Sequence, residues 1–264
     1  MDQLAPYTGR SLRSDLRALG LSAGDTVLVH SSASSIGFVV GGTQAVVQAL
    51  LDVLGPDGTL VVPTHTPDNT DPADWSNPPV PESWWPAIRE QAPGFDKSRT
   101  PSRWMGVIAE AVRTWPGAAR SDHPQVSFAA VGRHAGSITG THQLDDALGE
   151  RSPLGAVYRL DGKVLLLGCG HDSNTSLHLA EWRQKSPRRA LTGASVRRPD
   201  GSGEWISWTD VVAETDDFEQ IGAAFEVVVG VSAGQVGDAD ACLMSQRALV
   251  DFATAFMEAH RPKV

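Results

Sequence analysis

Short unbroken apolar runs alternate along this chain with longer stretches in which apolar residues recur at helical spacing. Val27 to Val29, Thr59 to Val62, Phe128 to Val131 and Val164 to Leu167 read as strands buried on both faces, because apolar side chains follow one another without alternation. Between them, Ser11 to Leu19 carries leucines at 12, 16 and 19, with Ser11 as a candidate N-cap and Gly20 as its stop. Thr43 to Leu54, Trp104 to Trp115, a short segment opened by Ser152-Pro153 and ending at Tyr158, Asp216 to Phe225 and Ala241 to Ala259 are the other expected helices. Glu226 to Val231 reads as a strand, and Ser195 to Asp210 as a hairpin turning at Pro199 to Gly203. Two buried strands joined by the helix 43–54 predict a parallel crossover. The expected fold is therefore a single α/β domain over residues 1–264, a three-layer α/β/α arrangement with a mixed, mostly parallel central sheet.

One stretch breaks the pattern. Thr64 to Pro101 is rich in Pro, Asp and Trp and forms a long Pro/Trp/Asp-rich loop, for which Trp75, Trp84 and Trp85 supply apolar area as anchors. Its Asp68, Asp71, Asp74 and Glu82 follow the carboxyl end of a strand, where carboxylates can hold the ammonium groups of a substrate or can simply be solvated.

Composition narrows the field. The chain has 264 residues, 41% apolar and 20% charged, with a formal charge of -9, which disfavours a nucleic-acid partner and suits a cationic small molecule. No apolar run approaches the ~20 residues that cross a bilayer, and the start MDQLAPYTGRSLRSDL lacks a signal-peptide core, so a soluble, cytoplasmic protein without a membrane partner is expected. Cys169 and Cys242 are the two cysteines, which gives neither a disulfide framework nor a metal cluster.

Candidate chemistry concentrates in Lys163 to Arg183. The strand ending at Leu167 meets Gly168 and Gly170, then the N-capping types Asp172, Ser173 and Asn174, then helix-compatible residues from Thr175. On that helix His178 and Glu181 stand three residues apart and share a face. Imidazole is the usual general base near neutral pH, and a carboxylate in reach fixes its tautomer. His178 is thus the candidate base and Glu181 its polar partner, placed where open α/β sheets bind ligands. A zinc site from Cys169, His171 and Glu181 lacks CxxC or HExxH spacing, and no metal is expected. His30 to Gly42, HSSASSIGFVVGG, is a small-residue loop between strand and helix that can offer backbone N–H groups to an anion, though it matches neither GxGxxG nor GxxxxGK[ST]. A non-catalytic nucleotide-binding module rests on that loop alone, and a serine hydrolase fails for want of GxSxG.

Taken together, HSSASSIGFVVGG, VVPTHTPDNTDPADW, PGFDKSRTPSRWMGVIAEAVR, ARSDHPQVSFAAVG, ERSPLG and NTSLHLAE resemble, in consistent order, the aminoglycoside 3-N-acetyltransferase family, whose fold is unrelated to that of the GNAT acetyltransferases. The resemblance implies acetyl transfer from acetyl-CoA to the 3-amino group of the 2-deoxystreptamine ring, conferring antibiotic resistance, by direct attack without a covalent enzyme intermediate. It puts the catalytic histidine on His178, with Glu181 orienting it or helping to hold the polycationic aminoglycoside. It places CoA near His30, Ser31, Ser32, Ser35, Gly37, Val39, Val40, Gly41 and Gly42, with Ser102, Arg120, His123, Ser127 and Phe128 completing the channel. Asp68, Asp71 and Asp216 are the implied drug carboxylates, with Asp217 and Glu219 beside them, and the chain is expected to be a monomer or homodimer. His65 departs from the family's usual uncharged residue, and the part after Arg183 matches less clearly. A different small amine as acceptor is the alternative, since relatives of the family acylate other amines.

Overall fold

The computed structural model describes residues 5–261; residues 1–4 and 262–264, and with them both ends of the expected 1–264 span and the first residues of the polar N-terminal stretch, lie outside the described residues. In chain order the elements are α1 (Gly9–Ala18), β1 (Thr26–Ser31), α2 (Gly42–Leu54), β2 (Thr59–Pro63), α3 (Trp85–Gln91), α4 (Gly106–Arg113), β3 (Ala119–Arg120), β4 (Phe128–Gly132), α5 (Ala135–Thr139) and α6 (Pro153–Arg159). They continue with β5 (Lys163–Leu167), α7 (Ser176–Trp182), β6 (Arg189–Arg197), β7 (Gly203–Val211), α8 (Phe218–Val228), β8 (Ser232–Val236), β9 (Ala239–Ser245) and α9 (Gln246–His260).

The buried runs become the middle of one sheet of order β3-β4-β2-β1-β5-β9-β8. β1 pairs in parallel with β2 and β5, while β4 against β2, β3 against β4, β9 against β5 and β8 against β9 are antiparallel. Strands β1, β2, β3, β5 and β8 therefore run one way and β4 and β9 the other, the mixed, mostly parallel sheet that the sequence predicts.

Alternation along each strand divides the core into two layers. Val27, Val29, Leu60, Val62, Leu165 and Leu167 face a cluster with Leu12 and Leu16 of α1, Val47 and Leu50 of α2, and Ile108 and Val112 of α4. Leu28, Val61, Val164 and Leu166 face the opposite cluster, made with α5 to α9 through residues such as Ile138, Val157, Leu177, Phe218 and Leu249. A strand covered on both faces has no reason to alternate polar and apolar residues, which is why these runs look continuous.

Several boundaries differ from expectation. The N-cap of α1 is Thr8, whose side chain accepts from Ser11 N while Ser11 Oγ accepts from Thr8 N, so Ser11 is the third helical residue of a capping box. Glu226 to Val228, expected in a strand, end α8, and the residues expected to start the last helix form β9 instead. The hairpin is longer than expected and forms its own two-stranded sheet, β6 with β7.

That hairpin helps to anchor the long loop. Phe95 N donates to Ser195 O at 3.0 Å, Asn69 Nδ2 donates to the same carbonyl at 2.9 Å, and Ser195 N donates to Asn69 Oδ1 at 3.0 Å. Trp75 and Trp85 are half-buried, but Trp84 is exposed. Among the described residues no helix is long and apolar enough to cross a membrane.

Candidate active site

The three parallel strands end on the same side, and a cavity of about 740 Å³ opens there. Its wall comes from Ser31 to Ser34 after β1, Pro63 and His65 at and beyond the end of β2, Trp104 to Val107 at the start of α4, Cys169 after β5, and Asp172, Ser173, Thr175, His178 and Phe218. This is the position at which open α/β sheets receive ligands. Two glycines permit the approach of its walls. Gly106 has φ +82° and lies against Ser31 O, and Gly168 has φ +71° with Ser35 so near that an added Cβ would fall 2.6 Å from the serine Cβ.

His178 and Glu181 meet as the sequence predicts. A 3₁₀ turn at His171–Ser173 leads into α7, and Asn174 Oδ1 accepts from Ser176 N at 3.3 Å. The helix is buried along its length, with Leu177, Leu179 and Ala180 in the core. His178 Nδ1 lies 2.5 Å from Glu181 Oε2, and the ring packs against Phe218 with centroids 4.8 Å apart. His178 is 9% exposed and lines the cavity, and with Nδ1 engaged its Nε2 is the nitrogen left for a ligand.

Glu181 is 2% exposed, and its other oxygen, Oε1, accepts from Glu214 N at 3.0 Å and from Arg261 Nη1 at 2.7 Å. Both carboxylate oxygens are thus engaged inside the protein. This geometry is that of the orienting role expected of Glu181.

Of the residues expected near CoA, His30, Ser31 and Ser32 line the cavity. Ser35 Oγ donates to Ser32 Oγ at 3.1 Å and to Gly168 O at 3.2 Å, bracing the loop after β1 against the end of β5. Gly37, Val40, Gly41 and Gly42 lie on the stretch leading into α2, Gly41 at its N-cap, while Val39 is in the core. Ser102 is committed to Glu110, donating through N at 3.1 Å and Oγ at 2.7 Å.

Like Ser35, Gly37, Val39 to Gly42 and Ser102, the remaining four are not among the residues that line this cavity. Arg120 is buried, donating to Thr64 O at 2.8 Å, Ser127 Oγ at 2.9 Å and Thr100 O, so it ties the long loop to the sheet. Ser127 Oγ in turn donates to Thr64 O at 2.9 Å, and Phe128 is in the core. His123 is fully buried, and its Nδ1 accepts from Gln125 N and Val126 N, both at 3.2 Å, as a turn-stabilising residue does.

The acidic loop is also different in character. Asp68, 59% exposed, is held by Arg103 Nη1 at 2.6 Å, and Asp71 by Arg89 Nη2 at 2.6 Å while it also caps Ala73 N. Asp217 is held by Arg261, and Asp216 is exposed at the entrance to α8. Asp172 is by contrast the single Asp, Glu, Lys or Arg among the residues lining the cavity, and among the described residues it makes no ion pair; Ser173 Oγ donates to it at 3.2 Å.

Sequence reasoning gave no role to His65 in the cavity. Burial, with the charge of His178 second, brings His30 down to about 3, and burial followed by His178, His30, His142 and Arg120 brings His65 to about 3. Both are neutral at physiological pH. Burial likewise raises the Cys169 thiol to about 11, with Asp172 and Glu219 adding to it. His171, once considered for zinc, instead lies 3.1 Å from Glu226 Oε1 and 3.2 Å from Asn174 Nδ2, and no group of three metal-ligating side chains occurs among the described residues.

Comparison with known proteins gives the family. Residues 28–258 match the family model of aminoglycoside 3-N-acetyltransferase. The chain is 45% identical over 249 residues to the SPbeta prophage-derived aminoglycoside N(3')-acetyltransferase-like protein YokD of Bacillus subtilis, covering 94% of this chain and 91% of that one. The crystal structure of YokD superposes with a TM-score of 0.93, at 43% identity, covering 97% of this chain and 100% of that one. Aminoglycoside N(3)-acetyltransferase III of Pseudomonas aeruginosa is 36% identical, over 96% of this chain and 94% of its own. A binary structure of AAC-IIIb with CoASH has a TM-score of 0.85 at 30% identity, covering 98% of this chain and 100% of that one. With a family model spanning all but the first two residues of the sheet, the cavity lining and the His178–Glu181 pair, the chain belongs to the aminoglycoside 3-N-acetyltransferase family, a family of acyltransferases.

Proposed function

We propose that this protein transfers the acetyl group of acetyl-CoA to the 3-amino group of a 2-deoxystreptamine aminoglycoside, with His178 as general base and by direct attack of the amine. The observation that carries the reading is the oriented imidazole: Nδ1 sits against a carboxylate whose second oxygen is itself tied down, which leaves Nε2 to the cavity. An ammonium has no lone pair to attack with, and a neutral imidazole at hydrogen-bond distance supplies the acceptor it needs.

The thioester supplies an activated acyl carbon. The amine nitrogen forms its bond to that carbon as the C–S bond breaks, His178 Nε2 accepts the proton that nitrogen loses, and the thiolate leaves and is protonated. Ser31 and Ser32, with Gly106 admitting close approach, are the part of the wall suited to pantetheine. Asp172 is the carboxylate suited to a neighbouring ammonium of the drug, in preference to Asp68 and Asp71, which arginines already neutralise.

An acyl-enzyme on Cys169 is the alternative route, since that thiol also lines the cavity. Held near 11, it is a thiol and not a thiolate at neutral pH, and the thiolate is the nucleophile. Release of CoA thiol with a panel of aminoglycosides, one lacking a free 3-amino group, tests the reaction. Turnover is expected only with that amine present, and His178→Ala should lower kcat by about 10²–10⁴-fold with little change in the acetyl-CoA KM. Turnover in the His178 variant near the wild-type rate would remove the general base.

A further inference from the structure

We infer that Arg261 is a positioning residue for the reaction, holding Glu181 so that the carboxylate orients His178 without competing for its proton. The inference rests on the acetyl-transfer reading above. Arg261 directly follows α9, and 80 residues separate it from Glu181. Its guanidinium forks: Nη1 donates to Glu181 Oε1 at 2.7 Å, Nε and Nη2 donate to the two oxygens of Asp217 at 2.7 and 2.5 Å, and Nη2 also reaches Glu214 O at 3.2 Å. One cation therefore fastens the end of α9, the N-terminus of α8 and the partner of the candidate base.

The charges explain why a guanidinium is needed there. Glu181 is almost wholly buried, and a buried carboxylate without a fixed cation is costly and prone to move or take up a proton. Around His178 stand Glu181 on its own helix, Asp217 and Arg261 behind Glu181, Asp172 in the cavity, and His30 and His65, both neutral, across it. Without Arg261, Glu181 and Asp217 would share the site uncompensated, Glu181 Oε1 would keep one donor, and the imidazole would hold its proton more tightly. A planar fork that makes parallel bonds is the chemistry of Arg and not of Lys.

Arg261 also lies on the wall of a second cavity of about 780 Å³, which includes Glu181 but not His178. An added alkylguanidine can enter there and take the place of a deleted side chain. The test uses the full chain as wild type, Arg261→Met, Arg261→Lys, and Arg261→Ala with and without ethylguanidinium. Each is assayed by CoA-thiol release across pH, with its melting temperature recorded.

In Arg261→Met, kcat should fall by about 30-fold or more, the acetyl-CoA KM should change by less than about twofold, and the acid limb of kcat/KM should move to higher pH. Ethylguanidinium should restore about tenfold or more of the lost kcat in Arg261→Ala and do nothing to wild type. Arg261→Lys, which keeps the charge and loses the fork, should fall between. If Arg261→Met keeps its kcat and its acid limb, or if the loss is neither rescued by ethylguanidinium nor lessened in Arg261→Lys, the positioning role is wrong. Wild-type turnover in the same assay separates this failure from failure of the acetyl-transfer reading, which would show as no thiol release by wild type with any amine.

Discussion

Lowering the pH from 7.5 to 5.0 should cost this fold several kcal/mol through buried histidines. Burial brings His30 and His65 to about 3 and His123 to about 4, and it holds His142 well below its ordinary value. In the unfolded chain each would titrate near 6.5. The folded values lie below the unfolded ones, so the unfolded state binds protons that the folded state does not. The stability these residues contribute is complete above about pH 6.5 and drains away as the pH falls from there towards the folded values. At pH 5 His30, His65 and His123 each account for about 2 kcal/mol, together about 6 kcal/mol and so comparable with the 5–15 kcal/mol of a typical whole domain, and His142 acts in the same direction. Urea unfolding at the two pH values gives the difference directly, and its slope with pH gives the protons taken up. His123→Asn, which keeps an acceptor for Gln125 N and Val126 N, should make that slope shallower by about one proton. An unfolding free energy unchanged within about 1 kcal/mol between pH 7.5 and 5.0 would refute the reasoning.

Other consequences are narrower. Cys169→Ala should keep turnover within about threefold, whereas a trapped acyl-enzyme lost in that variant would restore the covalent route. Asp172→Asn should raise the aminoglycoside KM by about tenfold, while Asp68→Asn, which frees an exposed ion pair, should change it by less than about twofold; the reverse order would return drug recognition to the loop. Arg120→Met should lower the urea unfolding free energy by about 3 kcal/mol or more, because it strands buried carbonyls and hydroxyls, yet leave the ratio of the two KM values unchanged. A selective rise in the acetyl-CoA KM would put Arg120 back in the CoA channel.

What the sequence made legible was local. The four continuous apolar runs became β1, β2, β4 and β5, since burial on both faces leaves its mark within four or five residues. His178 and Glu181 were legible because a helix brings residues three apart together without help from the rest of the fold. β8 was hidden because Ser232 to Gln235 form an exposed edge with little apolar pattern, and Val227 to Val229, β-branched and exposed, imitated a strand. They terminate the helix begun by Phe218, Ile221 and Phe225, whose spacing outweighs the propensity of the valines. Arg261 had no signal at all, because its partners are distant in the chain and only the docking of α9 beside α7 brings them near.

In the acidic loop the charge that suits a cationic substrate is already engaged within the protein. A formal charge of -9 suits a polycation, and Asp68 and Asp71 stand in the right segment. Each is neutralised at 2.6 Å by an arginine, Asp71 by Arg89 of the loop itself and Asp68 by Arg103 just beyond it, so the loop uses its carboxylates to hold its own shape. Inside the cavity the balance is different. His30 and His65 are kept neutral by burial, Cys169 is kept protonated, and Asp172 is the single Asp, Glu, Lys or Arg on the wall. One carboxylate among neutral groups attracts an ammonium strongly because little else screens it. His178 lines the same cavity, so in the proposed reaction the group that would recruit the cation and the group that would take its proton share one wall.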